Sequence, residues 1–352
     1  MKLPWIASVA ALALAGSLTA SANSKNGQLD VYWVDVEGGA ATLIVTPADE
    51  SVLIDSGNPG GRDSKRIAQV AHEKAGLSKI DFYITTHFHV DHFGGAAELS
   101  TLIPIRNVYD NGIPEQDPDG GKGDNFKRMI EPYRNFKAET RNQVKVGESL
   151  PLKSSAKGLS SSLRFLAART EVIQPPANVR MAANADCSNG KEKSPDTSDN
   201  RNSVVSLIQF GGFRLYIGGD LTWNTESKLV CPFNLVGNVD VYQVTHHGLD
   251  ISNNPLVVRA LAPTVSIMSN GTRKGTGAET IATLKSVQSI QASYQIHKNL
   301  RDDKESNTSD AFIANLEEKC AANHIELHVA KDAKEYTVSI PANQTSRTFK
   351  TK

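Results

Sequence analysis

The segment Ile84–Gly95, ITTHFHVDHFGG, constrains this chain more than any other, because three histidines and an aspartate fall within six consecutive residues. An apolar, β-branched run, KIDFYITT, leads into it, and GGAAELSTL follows. The pattern predicts a strand, a loop and a helix in that order, with the polar residues at the carboxyl end of the strand. The two glycines let the backbone turn into the helix without side chains that crowd the loop.

The polar residues of this segment are metal ligands by type. Neutral imidazole is the commonest metal ligand in proteins, and carboxylates suit the same divalent ions. His87 and His89 are one residue apart, so both rings can converge on one ion from a bent loop. Asp91 and His92 can then reach a second ion nearby. Because apolar residues alternate with these four, the pattern favours a loop anchored in a core over a solvated histidine-rich loop.

Short β-branched and aromatic runs, broken by Gly and Pro, dominate the rest of the chain, with amphipathic helical segments between some of them. Examples are QLDVYWVDVE and ATLIVTP before the histidine segment, and SVVSLIQF and FRLYIGG well after it. No repeat of fixed period is present. This mixture predicts an α+β fold, a four-layer αββα sandwich, rather than a regular alternation of strand and helix.

The composition, 39% hydrophobic and 22% charged over 352 residues, is that of a globular protein with a sizeable core. Basic and acidic residues number 38 each. Such a balance lacks the broad positive field of a sequence-independent nucleic-acid binder. A nucleic acid partner would need a local basic groove, and is not favoured over a small- or medium-sized substrate.

Residues 1–22 have the features of a removable secretory leader, or signal peptide. Lys2 precedes an apolar run, and the triplet ASA at residues 20–22 has the small-x-small form that signal peptidases cut. The apolar run is shorter than the roughly 20 residues that span a bilayer, which disfavours a retained anchor. We therefore expect a secreted or periplasmic protein whose mature part, 23–352, is one domain that has no membrane contact; its oligomeric state stays open.

The chain has three cysteines, so at most one internal disulfide can form and one thiol must be left over. Export favours oxidation. Cys187 lies in a polar loop and Cys231 ends an apolar, helix-like run, and we predict that these two pair and leave Cys320 free. Burial of each as a free thiol is the alternative.

Two polar stretches, at about 110–141 and 174–201, are too long to be plain connections between elements. They are predicted as loop insertions on the substrate side of the domain, with solvated insertions as the alternative. Neither carries a recognisable motif, so the sequence does not identify the substrate.

The motif HFHVDH at residues 87–92 matches the HxHxDH signature of the metallo-β-lactamase fold superfamily. Asp55 in LIDSG before it, Asp220 in LYIGGD after it and the later VTHHG resemble the other characteristic stretches of that family, in the same order. The resemblance covers most of residues 29–270. Its details look closest to the branch that contains ComEC-like competence proteins and phosphorylcholine-esterase-type hydrolases.

The resemblance implies two divalent ions, expected to be Zn2+, with Mn2+ or Fe as alternatives. It makes His87 and His89 ligands of the first ion, Asp91 and His92 ligands of the second, and Asp220 a bridge between both. One histidine of VTHHG would complete the second site. His246 is favoured over His247, which would then line the pocket and contact substrate.

The sequence departs from the family pattern in one ligand. Many members carry a further histidine before the bridging aspartate, but here the corresponding stretch is DNRNSVVS. The first ion would therefore have fewer protein ligands and a more open site. Asn202 or Asp199 is a candidate to hold a water or the ion, although a turn role is favoured for both.

Two further residues are singled out around the site. Asp55 is expected to orient His87 or His89 rather than to bind metal, since carboxylate partners fix the tautomer of ligating imidazoles. His297, in the polar context SYQIHKNLR, is a candidate for an anion-contacting edge of the pocket, with a plain surface or core histidine as the alternative.

The resemblance implies an exported metal-dependent hydrolase in which a metal-bridging hydroxide attacks a phosphodiester or a cyclic ester or amide. Asp91 could accept the proton and return it to the leaving group. The alternatives are a ComEC-like nuclease that acts on DNA and a non-catalytic metal-binding envelope protein. Where competence-type proteins tend to carry Gly-Gln-Gly-Asp, this chain has EGGA, which disfavours a role in DNA processing.

Overall fold

The structure, a computed structural model, describes residues 26–155 and 158–352. The predicted leader, 1–22, lies outside the described residues. Within them, strands and helices alternate irregularly and the strands assemble into two large mixed sheets.

The first sheet has nine strands in the order β17-β16-β15-β1-β2-β3-β4-β5-β6. The four strands at one end of this order, from β3 to the edge strand β6, are parallel, and the remaining pairs are antiparallel. Its strands are β1 (Leu29–Trp33), β2 (Thr42–Val45), β3 (Ser51–Ile54), β4 (Ile80–Ile84), β5 (Ile105–Asp110), β6 (Thr140–Gln143), β15 (Ile325–Val329), β16 (Glu335–Ile340) and β17 (Thr345–Lys350).

The second sheet has eight strands in the order β14-β13-β12-β11-β10-β9-β7-β8. It is parallel from β10 to β14 and antiparallel from β8 to β10. Its strands are β7 (Ser161–Ala168), β8 (Glu171–Val172), β9 (Val205–Phe210), β10 (Phe213–Ile217), β11 (Val241–Gln243), β12 (Val265–Met268), β13 (Ala292–His297) and β14 (Ile313–Asn315).

Helices cover the outer face of each sheet. The α-helices are α1 (Arg62–Gln69), α2 (Val90–Phe93), α3 (Ala96–Leu102), α4 (Asn125–Asn135), α5 (Trp223–Ser227), α6 (Pro255–Leu261) and α7 (Ala278–Ser286). A π-turn, Val70–Lys74, continues α1, and short 3-10 helices lie at Ala185–Asn189, Asp199–Asn202, Thr245–Gly248, Lys304–Ser306, Asp310–Phe312 and Pro341–Asn343.

The sheets pack face to face because their strands are apolar on both sides. In β4, Phe82 and Ile84 point into the core between the sheets, whereas Tyr83 points outward and packs with α1, α3 and α4. In β10, Leu215 joins the same central core and Tyr216 faces the layer of α6 and α7. The two-residue period of a strand explains this division. The predicted four-layer αββα sandwich is confirmed.

The two polar stretches have more structure than their composition indicates. The first contains α4, whose Phe126, Ile130 and Tyr133 are buried against the outer face of the first sheet. The second contains two 3-10 turns and is joined to the end of α5 by a disulfide between Cys187 and Cys231. The predicted pairing is therefore confirmed. Within the described chain, no helix combines the length and apolar character of a membrane span.

Candidate metal centre

The carboxyl ends of three parallel strands, from both sheets, meet at one edge of the sandwich. The 87–92 segment follows β4, Asp220 follows β10 and the turn Thr245–Gly248 follows β11. Backbone bonds hold these ends together: the N–H of Val204 donates to the carbonyl of Thr86 at 2.8 Å, and the N–H of His246 donates to the carbonyl of Gly219 at 3.0 Å. Histidines and carboxylates far apart in sequence thus share one buried site.

One group of donor atoms is formed by Asp91, His92 and His247, whose ligand atoms lie within 4.8 Å of one another. The Nε2 atoms of His92 and His247 are 3.2 Å apart, and Asp91 Oδ2 is 3.3 Å from that of His247. Asp220 Oδ2 lies 3.2 Å and 3.3 Å from the two ring nitrogens. These atoms suit one divalent ion of borderline hardness.

A second group shares residues with the first and is made of His87, His92 and Asp220. Nε2 of His87 is buried, has no hydrogen-bond partner among the described residues and lies 3.9 Å from Asp220 Oδ2. A buried ring nitrogen without a partner requires an explanation, and a bound cation supplies one. The residues therefore fit a pair of metal ions with Asp220 between them. We call the five residues His87, Asp91, His92, Asp220 and His247 the metal centre.

His89 lies beside the metal centre but outside both groups. Its ring packs against the ring of His87 at 4.6 Å, while its Nε2 is 2.8 Å from Asp119 Oδ2. Nδ1 of His89 is therefore the ring nitrogen that remains available to bind an ion. Sequence reasoning missed Asp119, which stands in the stretch DPDGG; only the number of aspartates in that loop pointed to it.

Asp119 also joins the two insertion loops. Its Oδ1 accepts the N–H of Asp199 at 2.7 Å, and Asp199 in turn accepts the N–H of Phe88 at 2.6 Å. Asn202 donates to Asp199 Oδ1 at 2.9 Å. Asp199 and Asn202 therefore support the backbone of the histidine segment, in keeping with the turn role that the sequence favoured over holding an ion.

Both histidines of VTHHG lie beside Asp220, so the choice of His246 over His247 stays a prediction. His247 belongs to the group with Asp91 and His92, whereas His246 places Nε2 3.4 Å from Asp220 Oδ2 and Nδ1 3.1 Å from Ser252 Oγ. The sequence reasoning assumed an extended strand up to residue 246. Strand β11 instead ends at Gln243, and both histidines adopt left-handed backbone conformations, with φ of 56° and 55°.

A close approach of backbone fixes that turn. A Cβ atom on Gly275 would lie 1.9 Å from the carbonyl oxygen of His247, and Gly275 itself has a φ of +87°. Only glycine fits such a position. The loop GTRKGTG, residues 271–277, thus packs against the backbone of the metal centre.

Asp55 orients a different histidine from the two that the sequence indicated. Its Oδ2 accepts from Nδ1 of His92 and from Oγ1 of Thr86, each at 2.8 Å, and its Oδ1 accepts the N–H of Thr86 at 2.8 Å. The correction has a simple cause. Asp55 follows β3, the parallel neighbour of β4, and His92 returns to that neighbour after the loop and the first turn of helix.

The predicted role of His297 at the edge of the pocket is wrong. The residue ends β13 and is fully buried, with Nε2 2.6 Å from Oδ1 of Asp35. The polar neighbours in the sequence suggested exposure, but β13 is buried on both faces, with only Ser293 partly exposed. His297 cannot contact a substrate at the metal centre.

Burial and neighbouring charges set the protonation of the site. Burial holds the pKa of His87 well below its usual range and lowers that of His246 to about 4, so both rings are neutral and available as ligands. Burial alone would also lower the pKa of His92, but the carboxylates of Asp220, Asp55 and Asp91 outweigh it and raise the pKa well above normal. A cation bound at Nε2 would replace the proton that this ring otherwise holds.

The carboxylates respond in the opposite direction. Burial, which raises the pKa of a carboxyl group, is outweighed at Asp91 by His92 and at Asp220 by His247, so the pKa of each aspartate lies well below its usual range. Lys274 adds a positive charge, with Nζ 2.5 Å from Asp91 Oδ2 and a side chain 40% exposed. Lys274 thus stands between the metal centre and solvent.

Comparisons with known proteins agree with this architecture. Residues 34–157 match the family model described as the metallo-beta-lactamase superfamily. The matched range includes the 87–92 segment and ends before Asp220. Residues 34–157 are therefore similar to that superfamily, and the chain as a whole is an α+β sandwich of two mixed sheets with helices on the outer faces.

Individual relatives match shorter parts. A protein of Cupriavidus metallidurans named "UPF0173 metal-dependent hydrolase" is 34% identical over 86 residues, 23% of this chain and 26% of the relative. One of the same name from Polynucleobacter asymbioticus is 32% identical over 92 residues, 26% of this chain and 30% of the relative. The chain thus spans between a quarter and a third of the length of the curated relatives it matches.

Solved structures with a similar arrangement include a metallo-beta-lactamase with a HARLDQ motif from Cronobacter sakazakii, at 18% identity and a TM-score of 0.36 over 60% of this chain and 73% of that one. CmlA, a diiron beta-hydroxylase from Streptomyces venezuelae, has 16% identity and a TM-score of 0.41 over 75% of this chain and 52% of that one. Likenesses of this extent carry no information on substrate.

Proposed function

We propose that this protein is a metal-dependent hydrolase that acts on a phosphodiester or on a cyclic ester or amide. The observation that carries the proposal is the convergence of the metal centre from three separate strand ends, with the buried Nε2 of His87 left unpartnered among the described residues. Two divalent ions held there would supply a water of lowered pKa and a Lewis acid for the negative charge of the transition state.

The residues of the chain then position the reacting groups. His87 and Asp220 would hold the first ion and His92 and His247 the second, with Asp220 within reach of both. Asp91 is the partly exposed carboxylate at the opening, so it is placed to take the proton of the attacking water and to return it to the leaving group. No nucleophilic serine or cysteine is needed.

We propose zinc as the resident metal, because the donors are imidazole nitrogens and carboxylate oxygens in about equal number. The same donors also suit iron and manganese, so the metal is best decided by analysis of the purified protein. The candidate ligands of the first ion are His87, His89 and Asp220. The further histidine of the family pattern is missing here, and the carboxylate of Asp119 instead holds the ring of His89 in position.

Among possible substrates, small anionic esters are favoured over DNA. Basic residues in the loops 271–277 and 297–304 are paired with carboxylates: Arg273 with Glu318 at 3.5 Å, and Lys298 with Asp310 at 2.8 Å. Lys274 is directed into the site instead. A nuclease of the ComEC-like branch would need free cations along the opening to hold a phosphate backbone.

We further propose that the protein acts outside the cytoplasm. The leader-like residues 1–22 and the disulfide between Cys187 and Cys231 support this, because disulfides persist in oxidising compartments. Detection of the mature chain in periplasmic or culture fractions, with its amino terminus near residue 23, tests the proposal.

The activity test uses the mature chain purified without chelator. Metal is quantified by mass spectrometry, and hydrolysis of bis-p-nitrophenyl phosphate is followed before and after chelation and after return of zinc. Asp220→Asn is the matched variant, since it keeps the shape but removes the charge between the two groups. At least two equivalents of metal, with chelator-sensitive turnover that D220N lacks, support the proposal. Bound metal without turnover on phosphodiesters, lactones and lactams supports a non-catalytic metal-binding protein, and cleavage confined to DNA supports the nuclease.

A further inference from the structure

A second cluster of metal-ligating side chains lies away from the metal centre and shares no residue with it. Asp35 follows β1 of the first sheet, His297 ends β13 of the second, and Cys320 lies in the connection from β14 to β15. One donor atom from each lies within 4.8 Å of the others. We call these three residues the Asp35 cluster.

The contacts within the Asp35 cluster are short. Oδ1 of Asp35 is 2.6 Å from Nε2 of His297, and Oδ2 accepts from Sγ of Cys320 at 3.2 Å. Ligands of a tetrahedral zinc ion, with bonds of 2.0–2.3 Å, stand roughly 3.3–3.8 Å apart. Small side-chain rotations that open the two contacts would therefore admit an ion.

Burial distinguishes this cluster from a chance gathering at the surface. Asp35 and His297 are both 0% exposed, and Nδ1 of His297 has no hydrogen-bond partner among the described residues. Nε2 is the ring nitrogen directed at Asp35, so it is the atom that an ion in the cluster would bind, with the ring proton on Nδ1. Carboxylate, imidazole and thiolate together form a donor set typical of zinc rather than of calcium or magnesium.

The surroundings supply a further ligand and balance its charge. Oε1 of Glu37 lies 3.9 Å from Sγ of Cys320, and the backbone N–H of Glu37 donates to Oδ1 of Asp35 at 2.9 Å. Arg66 bonds both carboxylates, each at 3.1 Å. The guanidinium thus holds the two acidic side chains in place and offsets the excess negative charge that they and a thiolate would bring to a divalent ion.

An ion can reach the cluster from solvent. Cys320 is partly exposed, and a surface cavity of about 340 Å³ beside it is lined by Arg66, Ala321, Ala322 and His324 among others. Cys320 is also the free thiol of the chain, because Cys187 and Cys231 are paired.

We propose that Asp35, His297 and Cys320, with Glu37 as fourth ligand, form an additional site for a zinc-class divalent ion that ties the edges of the two sheets together. On binding, the Cys320 thiol releases its proton to solvent and the thiolate takes up the ion. The proton between Asp35 Oδ1 and His297 Nε2 passes to Nδ1 of the ring, so that both atoms can bind the ion. The site is structural, and the proposal is independent of the hydrolase activity.

Cobalt substitution tests the proposal with a signal that belongs to this site alone. The full mature chain is freed of metal by chelation, under anaerobic conditions and without thiol reductant so that the disulfide persists, and is titrated with Co2+. A thiolate ligand gives a charge-transfer band in the near ultraviolet, and Cys320 is the free thiol that can produce it. The metal centre contains nitrogen and oxygen donors, and gives visible d–d bands.

We expect the near-ultraviolet band in the wild type and in H87A. The Cys320→Ser variant should lose both this band and one equivalent of bound metal. Glu318→Gln is the matched control, because this exposed residue lies in the same connection and should leave the band unchanged. Zinc should also protect Cys320 from alkylation at least tenfold. A saturated titration without the band, or equal metal content in wild type and C320S, would overturn the proposal and leave the cluster as a buried ion pair. Loss of the d–d bands alone would count against the metal centre, not against this site.

Discussion

Asp55→Asn is expected to weaken metal binding although Asp55 is not a ligand. The carboxylate of Asp55 accepts from Nδ1 of His92, which leaves Nε2 of that ring with its lone pair directed at the metal centre. An asparagine can keep the bond from the N–H of Thr86 but then turns its amide group towards His92. Two donors would face each other at 2.8 Å unless the ring moves its proton from Nδ1 to Nε2, and a protonated Nε2 cannot bind metal.

The expected loss of metal affinity in D55N follows from the two states that are open to His92. In D55N, His92 can keep its proton on Nδ1, but it then loses the buried hydrogen bond to a carboxylate. Alternatively, it can move the proton to Nε2 and accept a hydrogen bond from the amide at Nδ1, but Nε2 is then no longer free to bind metal. Loss of such a carboxylate partner costs about 10–100-fold in metal affinity, which is about 1.4–2.7 kcal/mol. Because His92 belongs to both donor groups, both ions should be affected.

Zinc affinity is measured by competition with a chromophoric chelator, for wild type, D55N and D63N. Asp63 is the matched control: it is equally buried and accepts the N–H of Asn58 at 2.7 Å, but does not contact the metal centre. D63N should lower the free energy of unfolding while it leaves zinc affinity within about twofold of wild type. Wild-type zinc affinity in folded D55N would refute the argument that the carboxylate fixes the tautomer of His92.

Three further outcomes are expected. H247A should lose about one equivalent of bound zinc by mass spectrometry, whereas H246A should retain the metal and lose less than tenfold in affinity; the reverse order would support the assignment made from sequence. D119A should lower the affinity for the first ion about 10–100-fold. D119N should lower it less, since an amide oxygen can still accept a hydrogen bond from Nε2 of His89. Equal zinc affinity of the two variants would contradict the role of Asp119. Burial raises the pKa of Glu226 from 4.5 to about 8, so the folded state binds a proton that the unfolded state releases, and the free energy of unfolding should fall as pH rises across that interval. Urea titrations of E226Q should show the slope removed; an unchanged slope would mean that Glu226 is ionised in the folded protein.

The sequence predicted the layers of the fold because local pattern decides them. The two-residue period in β4 and β10 distinguishes an inner from an outer face, and the sheets that result must be covered on both sides. Helix α4 was missed for a physical reason as well. Its apolar residues, Phe126, Met129, Ile130 and Tyr133, have helical spacing, but Pro132 interrupts the pattern and the stretch before it is rich in Gly, Pro and Asp, which is typical of a loop.

At the metal centre, the types of ligating residue could be predicted from the sequence, but the contacts of each residue could not. The HxHxDH motif and the two distant aspartates identify donors, but a ligand role depends on backbone conformation at single residues. The left-handed backbone at His246 and His247 arises because Gly275, almost thirty residues later, allows the chains to approach closely. Asp119 pairs with His89 across a loop with no motif. Contacts of this kind are set by tertiary packing, which no local pattern contains.

The metal centre also explains why the two sheets must act together. The first sheet contributes His87, Asp91 and His92 after β4, and the second contributes Asp220 and His247 after β10 and β11. Neither half has enough donors to hold two ions, so the site exists only when the sheets are packed. Ligands that bind only the folded state stabilise it by mass action. Metal affinity and the packing of the sandwich are therefore parts of one equilibrium, and a substitution in the core between the sheets should weaken metal binding even where it touches no donor.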